Sequence, residues 1–129
     1  MFITLTPDLL VSPQISLDDV TEAARQGVKL IINNRPEDES EDQTPGPDIE
    51  AAARGAGMNY IAIPITHSGF SEPQVKAMAQ ALENATELTL AYCRSGTRST
   101  LLWGLAEASQ GGDPDALTNI AAKAGYDLN

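Results

Sequence analysis

The residues whose types are best suited to carry out a reaction lie in one short segment that begins at the chain's single cysteine. It reads Cys93-Arg94-Ser95-Gly96-Thr97-Arg98 and follows an apolar run that ends at Tyr92. Nearby arginines, converging backbone N–H groups and a helix N-terminus all favour a thiolate over a thiol. We therefore expect a large fraction of Cys93 to be ionised at neutral pH and to act as a nucleophile.

The residues around this cysteine suggest how an anion is held beside it. Gly96 gives the turn its conformational freedom and lets a substrate approach the backbone. Cys93 and Arg98 are predicted as the catalytic pair. The alternative is an inert cysteine at a strand end, which does not explain the polar and basic residues that follow it. The predicted substrate-binding residues are Arg94, Ser95, Gly96, Thr97, Ser99, His67 and Arg35.

Three of these residues lie outside the segment or have a second interpretation. Arg35 follows an apolar strand, where it can reach a bound anion or pair with a carboxylate. His67, the only histidine, lies in a glycine-containing loop and is otherwise an ordinary surface residue. The Ser99 hydroxyl can bind the thiolate or cap the next helix. One histidine and one cysteine form no metal-ligand cluster, so we expect no metal and no cofactor.

Composition limits the classes of function. A chain of 129 residues with 42% hydrophobic residues predicts one domain, residues 1–129. A net charge of -10 argues against nucleic acid and anionic membranes as partners. No leader or long apolar run is present, which favours the cytoplasm. The acidic, proline-rich segment 35–47 is predicted to be a surface loop that can border the active site.

Apolar runs alternate with helix signals along the chain. Strands alternating with helices predict an α/β fold with three αβα layers and a mainly parallel central sheet of four to five strands. Such sheets bind ligands beyond the carboxyl ends of their strands, where Cys93 falls. The predicted strands are 2–5, 28–32, 59–63 and 88–92, with an extended segment at 10–15. The predicted helices are 16–25, 48–54, 71–84, one from about Arg98, and one from Pro114 to Gly125.

The segment 93–98 resembles the C-x-x-G-x-R active-site loop of rhodanese-type sulfurtransferases. The rest of the chain is similar to the phosphatase-like domain of bacterial beta-lactamase-hydrolase-like proteins, a family related to dual-specificity tyrosine phosphatases. The shared motifs are Val11-Ser12-Pro13-Gln14, the stretch from Gly27 to Arg35, Gly57-Met58-Asn59-Tyr60, Ile63-Pro64-Ile65, and the cysteine segment leading into Leu102-Trp103.

This resemblance implies two chemistries. Resemblance to members that are fused to a persulfide-oxidising domain implies sulfur transfer through a Cys93 persulfide. The sulfur would pass from an anionic donor, such as thiosulfate or a persulfide, to an acceptor thiol. A persulfide dioxygenase partner is then expected. The phosphatase relatives imply phosphoester hydrolysis through a Cys93 phosphocysteine. A third alternative is an anion-binding module without turnover.

Two departures from the phosphatase pattern favour sulfur. The phosphatases have five residues between cysteine and arginine, whereas Cys93 and Arg98 are separated by four, which removes one amide donor. The phosphatases also use an upstream aspartate as general acid, and no aspartate lies between Asp48 and Asp113. His67 or Glu72 would have to replace it. Sulfur transfer releases a stable anion and needs no such acid.

Overall fold

The structure, a computed structural model, describes residues 2–66 and 68–128. This part of the chain has five strands and five helices: after an initial pair of strands, helices and strands alternate until the last two helices, which follow one another directly. The elements are β1 (Ile3–Thr6), β2 (Leu9–Ser12), α1 (Leu17–Arg25), β3 (Leu30–Asn33), α2 (Gly46–Gly55), β4 (Asn59–Ala62), α3 (Glu72–Asn84), β5 (Thr89–Tyr92), α4 (Thr97–Ser109) and α5 (Pro114–Lys123).

The sheet has the strand order β1-β2-β5-β3-β4. Strand β1 runs antiparallel to β2, and the other neighbours are parallel. At the centre, Leu90 lies opposite Leu10 on one side and Ile31 on the other. Because β2, β5, β3 and β4 run in the same direction, the loops that follow them emerge at one edge. The predicted three-layer, mainly parallel architecture is confirmed.

Strand residues alternate between two cores. One core packs Leu90 and Ile31 against α1 and α2, through residues such as Val20 and Ile49. The other packs the next residue of each strand against α3, α4 and α5. Burial on both faces explains why the central strands are continuous apolar runs. Trp103 of α4 lies in the second core and is 3% exposed.

Several element boundaries differ from those predicted by the apolar runs. Strand β3 begins at Leu30 because the Val28 N–H donates to Ala23 O at the end of α1. Helix α4 begins at Thr97, immediately after the turn at Gly96. None of the helices in residues 2–66 and 68–128 has the length and apolar character needed to cross a membrane.

Helix α4 offers a test of how the core supports the sheet edge. Leu102 is fully buried, whereas Leu105 on the same helix is 42% exposed. We expect Leu102→Ala to lower the free energy of unfolding by about 2 to 5 kcal/mol, because a buried cavity forms. Leu105→Ala is the matched control and should cost under about 1 kcal/mol. Urea unfolding measures both, and equal losses would contradict this packing.

Candidate active site

Four loops meet at the carboxyl edge of the sheet. The loop after β5 begins at Cys93, whose N–H donates to Ser12 O in β2 at 3.3 Å. The loop after β3 begins at Asn34, whose N–H donates to Tyr92 O at 2.8 Å. Residue Ile65, in the loop after β4, donates its N–H to Asn34 O at 3.0 Å. The parallel sheet therefore brings these loops together around the cysteine.

The nucleophile loop, residues 93–98, turns back on its own cysteine. Cys93 is 0% exposed, and its Sγ accepts a hydrogen bond from the Gly96 N–H at 3.1 Å. Gly96 has a φ of 89°, a left-handed conformation that favours glycine. Helix α4 starts at the next residue, so its N-terminal dipole adds to the positive field at the sulfur.

Arg98, in the first turn of α4, is held in two ways. Its Nη1 donates to Glu39 Oε2 at 2.7 Å and to Ile65 O at 2.8 Å. Its Nη2 donates to Glu39 Oε1 at 2.8 Å. The hydrogen bonds to Glu39 raise the pKa of Arg98, with further contributions from nearby Cys93. Since a guanidinium has N–H groups to spare, the edge carrying Nε can face Cys93 or an anion beside it.

Glu39 joins two arginines. Its Oε1 accepts from Arg35 Nε at 2.9 Å as well as from Arg98 Nη2. The side chains of Glu39, Arg98 and Arg35 are 14%, 19% and 4% exposed. The Arg98 and Arg35 guanidiniums hold the pKa of Glu39 down at about 2, against the opposing effect of burial. Glu39 is therefore a carboxylate at neutral pH and cannot serve as a general acid.

A cleft of about 390 Å³ opens beside this cluster. Arg94 and Arg98 bring two positive charges to its wall, and the Glu39 carboxylate is committed to arginines, so the cleft attracts anions. Cys93 itself is buried beneath its neighbours, so a substrate reaches Sγ only after some of these side chains shift. The cleft is lined by Pro36, Glu39, Thr66, Arg94 and Arg98.

The structure places the predicted loop residues in different environments. Arg94, Ser95 and Thr97 are exposed, and the Ser95 hydroxyl donates to Thr97 Oγ1 at 2.9 Å. Ser99, by contrast, is fully buried and donates its hydroxyl to Asn34 Oδ1 at 2.7 Å. The Ser99 hydroxyl proton is thus directed at Asn34 and not at Cys93 in this structure, and binding of a substrate by Ser99 stays a prediction.

The remaining predicted residues also differ in where they lie relative to Cys93. Arg35 faces carboxylate and amide partners: besides Glu39 it donates to Gln14 Oε1 at 3.0 Å. The carboxylate-pairing alternative for Arg35 therefore describes the geometry. His67 lies outside the described residues. Glu72, the other substitute acid, is exposed at the start of α3. The described residues bring together no group of three or more His, Cys, Asp or Glu side chains that could hold a metal.

Two residues at the site were not anticipated. Glu39 is one of several acids in a predicted surface loop, and outside a helix its spacing of four from Arg35 does not distinguish it from the other acids. Tyr126, near the carboxyl end of the chain, donates its hydroxyl to Ser95 O at 3.1 Å. A lone tyrosine following a helix-ending glycine carries no signal that would connect it to a distant cysteine.

Removing the charge of Glu39 should destabilise the fold. We expect Glu39→Gln to lower the free energy of unfolding at neutral pH by about 1 to 3 kcal/mol, because charge-assisted hydrogen bonds are lost. The folded-state pKa of about 2 lies below the ordinary glutamate value. The contribution is therefore complete above the unfolded-state pKa and is lost as the pH falls toward 2.

Urea unfolding at several pH values measures this loss. The stability gap between the native protein and Glu39→Gln should be largest near neutral pH and should narrow from about pH 5 downward. The exposed Glu41 in the same loop supplies the control variant, Glu41→Gln, which should leave stability nearly unchanged. A gap that does not depend on pH would contradict the ionised bridge.

The turn at Gly96 offers a second test. A Cβ at Gly96 would overlap the Tyr126 hydroxyl and add to the strain of a positive φ. Gly111→Ala is the control, since Gly111 has a φ of 92° with open space around it. We expect Gly96→Ala to lose more stability than Gly111→Ala and to change the alkylation rate of Cys93. Equal losses in thermal unfolding, with no change in alkylation, would show that the overlap is unimportant.

Comparisons with known proteins agree on one family. The family described as "Beta-lactamase hydrolase-like protein, phosphatase-like domain" matches residues 1–110. A beta-lactamase hydrolase-like protein of Xylella fastidiosa (strain Temecula1) is 35% identical over 122 residues. That match covers 93% of this chain and 28% of the relative, so the chain spans little more than a quarter of the relative's length.

Solved structures give the same grouping. A protein from Neisseria meningitidis Z2491, provisionally described as a phosphatase, is 34% identical with a TM-score of 0.86, over 98% of this chain and 90% of that one. Kinase associated phosphatase, crystallised with its catalytic-site cysteine changed to serine, has a TM-score of 0.77 over 96% of this chain and 82% of that one. At 14% identity the second likeness shows the fold alone. The chain therefore belongs to the family of phosphatase-like domains of beta-lactamase hydrolase-like proteins.

Proposed function

We propose that this phosphatase-like domain is a cysteine-dependent sulfurtransferase. The observation that carries the proposal is the state of the carboxylate at the cleft: Glu39 has a pKa of about 2 and is bound to Arg98, so it has no proton to give. Chemistry at this cleft is best served by a leaving group that departs as a stable anion. The sulfite released from thiosulfate meets that need without a general acid.

The proposed reaction conserves atoms and electrons without an added oxidant. The Cys93 thiolate attacks the sulfane sulfur of thiosulfate, the new S–S bond forms, and the old one breaks as sulfite leaves with its electron pair. An acceptor thiolate then attacks the outer sulfur of the Cys93 persulfide and regenerates the Cys93 thiolate. Arg94 and Arg98 bind the anionic donor in the cleft. The Gly96 N–H faces the sulfur that must carry negative charge.

The dimensions of the nucleophile loop support the same choice. Four residues between Cys93 and Arg98 leave a smaller ring of amides than the longer phosphatase loop. A persulfide adds one sulfur to Cys93, whereas a phosphoryl group presents several oxygens that each need donors. We place this activity in the cytoplasm, where Cys93 stays reduced. A persulfide dioxygenase is the proposed partner, because it would oxidise the persulfide formed on the acceptor thiol.

A cysteine phosphatase is the second candidate, and the comparisons favour it more directly than they favour sulfur transfer. The family and its solved relatives carry phosphatase names. The Nε edge of Arg98 can bind equatorial oxygens of a phosphoester bidentately. In this alternative Cys93 attacks phosphorus and the departing alkoxide needs a proton. Its source would be His67 or Glu72, or else activated aryl esters would be the substrates.

One experiment separates the candidates. The purified protein is treated with thiosulfate, and intact mass spectrometry measures the addition of one sulfur, while aryl phosphate hydrolysis is followed in parallel. We expect an added sulfur that is removed by a thiol, no such mass in Cys93→Ser, and little phosphate release. Cysteine-dependent phosphate release without sulfur loading would overturn the proposal, and failure of both assays would favour an anion-binding module.

A further inference from the structure

The segment that follows α5 lies against the nucleophile loop. Its Tyr126 N–H donates to Ala121 O at 2.9 Å, which fixes the segment to the end of the helix. Leu128 packs against Gly104 of α4. Both side chains are partly buried against the core shared by α3, α4 and α5. Tyr126 is therefore held by its backbone hydrogen bond to α5 and by the packing of its ring, while its hydroxyl points toward the nucleophile loop.

The Tyr126 hydroxyl and the cysteine sulfur bind opposite ends of the same peptide unit. The Ser95–Gly96 peptide accepts the Tyr126 hydroxyl proton at its carbonyl, with an oxygen–oxygen distance of 3.1 Å. Its N–H, on Gly96, donates to Cys93 Sγ at 3.1 Å. A peptide unit is planar, so fixing the carbonyl also fixes the direction of the N–H. Hydrogen bonds in such a chain polarise one another, which strengthens the donor.

We propose that Tyr126 is a positioning residue for the nucleophile, because its hydroxyl holds the Ser95–Gly96 peptide with the N–H directed at Cys93 Sγ. The proposal rests on Cys93 being the nucleophile of the proposed function, and it holds whether the group transferred is sulfur or phosphorus. The Tyr126 ring also closes the space beside Gly96, where a Cβ would overlap its hydroxyl.

The charged and titratable groups around Cys93 are compatible with Tyr126 donating a hydrogen bond to the Ser95 carbonyl. Arg98 of α4 faces the sulfur, with Glu39 behind it, and Arg94 follows in the loop. Burial, with a further contribution from the charge of Cys93, raises the pKa of Tyr126. The phenol is therefore protonated at neutral pH and can donate its hydrogen bond to the Ser95 carbonyl.

The test compares the full chain with Tyr126→Phe, which keeps the ring and removes the hydroxyl. Alkylation of Cys93 by iodoacetamide is followed as a function of pH. We expect the midpoint of the rate profile to move upward by roughly half to one pH unit, since one cooperative hydrogen bond to the thiolate is weakened. The plateau rate at high pH should stay close to that of the native chain.

Controls separate this role from a structural one. Tyr60→Phe removes a hydroxyl that accepts a hydrogen bond at 2.9 Å from Nδ2 of Asn33, a residue of β3. This variant should leave the pH profile of the alkylation rate unchanged. A merely looser loop would change the rate equally at all pH values without moving the midpoint. The Gly96 amide signal in ¹H–¹⁵N spectra gives a second readout and should shift upfield in Tyr126→Phe. An unmoved midpoint or an unmoved amide signal in the folded variant would overturn the proposal.

Discussion

The bidentate salt bridge between Glu39 and Arg98 is the interaction on which the rest of the site depends. It joins residues 59 positions apart, one in the loop after β3 and one in the first turn of α4. Both side chains are largely removed from water, so either one alone would be an uncompensated charge. The bridge therefore holds the acidic loop against the first turn of α4 and fixes the guanidinium near Cys93.

Much of the architecture could be predicted from the sequence, because buried parallel strands require long apolar runs. The apolar run ending at Tyr92 and the residues Cys93 to Arg98 predict a cysteine between a strand and a helix N-terminus, and the structure has that arrangement. The polar support was harder to predict. Glu39 lies among several solvated acids, and only the folded loop shows which one turns inward. The hydrogen bond from Ser99 to Asn34 joins α4 to the loop after β3, and the sequence carries no signal for that pairing.

The features of the site suit either of the two proposed group transfers. The phosphatase-like sheet, the helix dipole and the arginine all stabilise an anion, whichever element is attacked. What distinguishes sulfur from phosphorus is the number of amides in the loop and the presence of a proton source. Glu39, bound to two arginines, is unsuited to donate a proton. In this proposal a few side chains and the loop length decide whether sulfur or phosphorus is transferred, while the fold decides where the reaction takes place.

The guanidinium of Arg98 serves several partners at once. Its two terminal nitrogens hold Glu39 and the Ile65 carbonyl, and the same guanidinium interacts with the nearby cysteine. A lysine has a single nitrogen on a flexible stem and cannot present two edges at fixed angles. Exchanging Arg98 for lysine would preserve the charge yet force a choice between anchoring the acidic loop and meeting the substrate. Geometry, more than charge, thus decides which amino acid this position can tolerate.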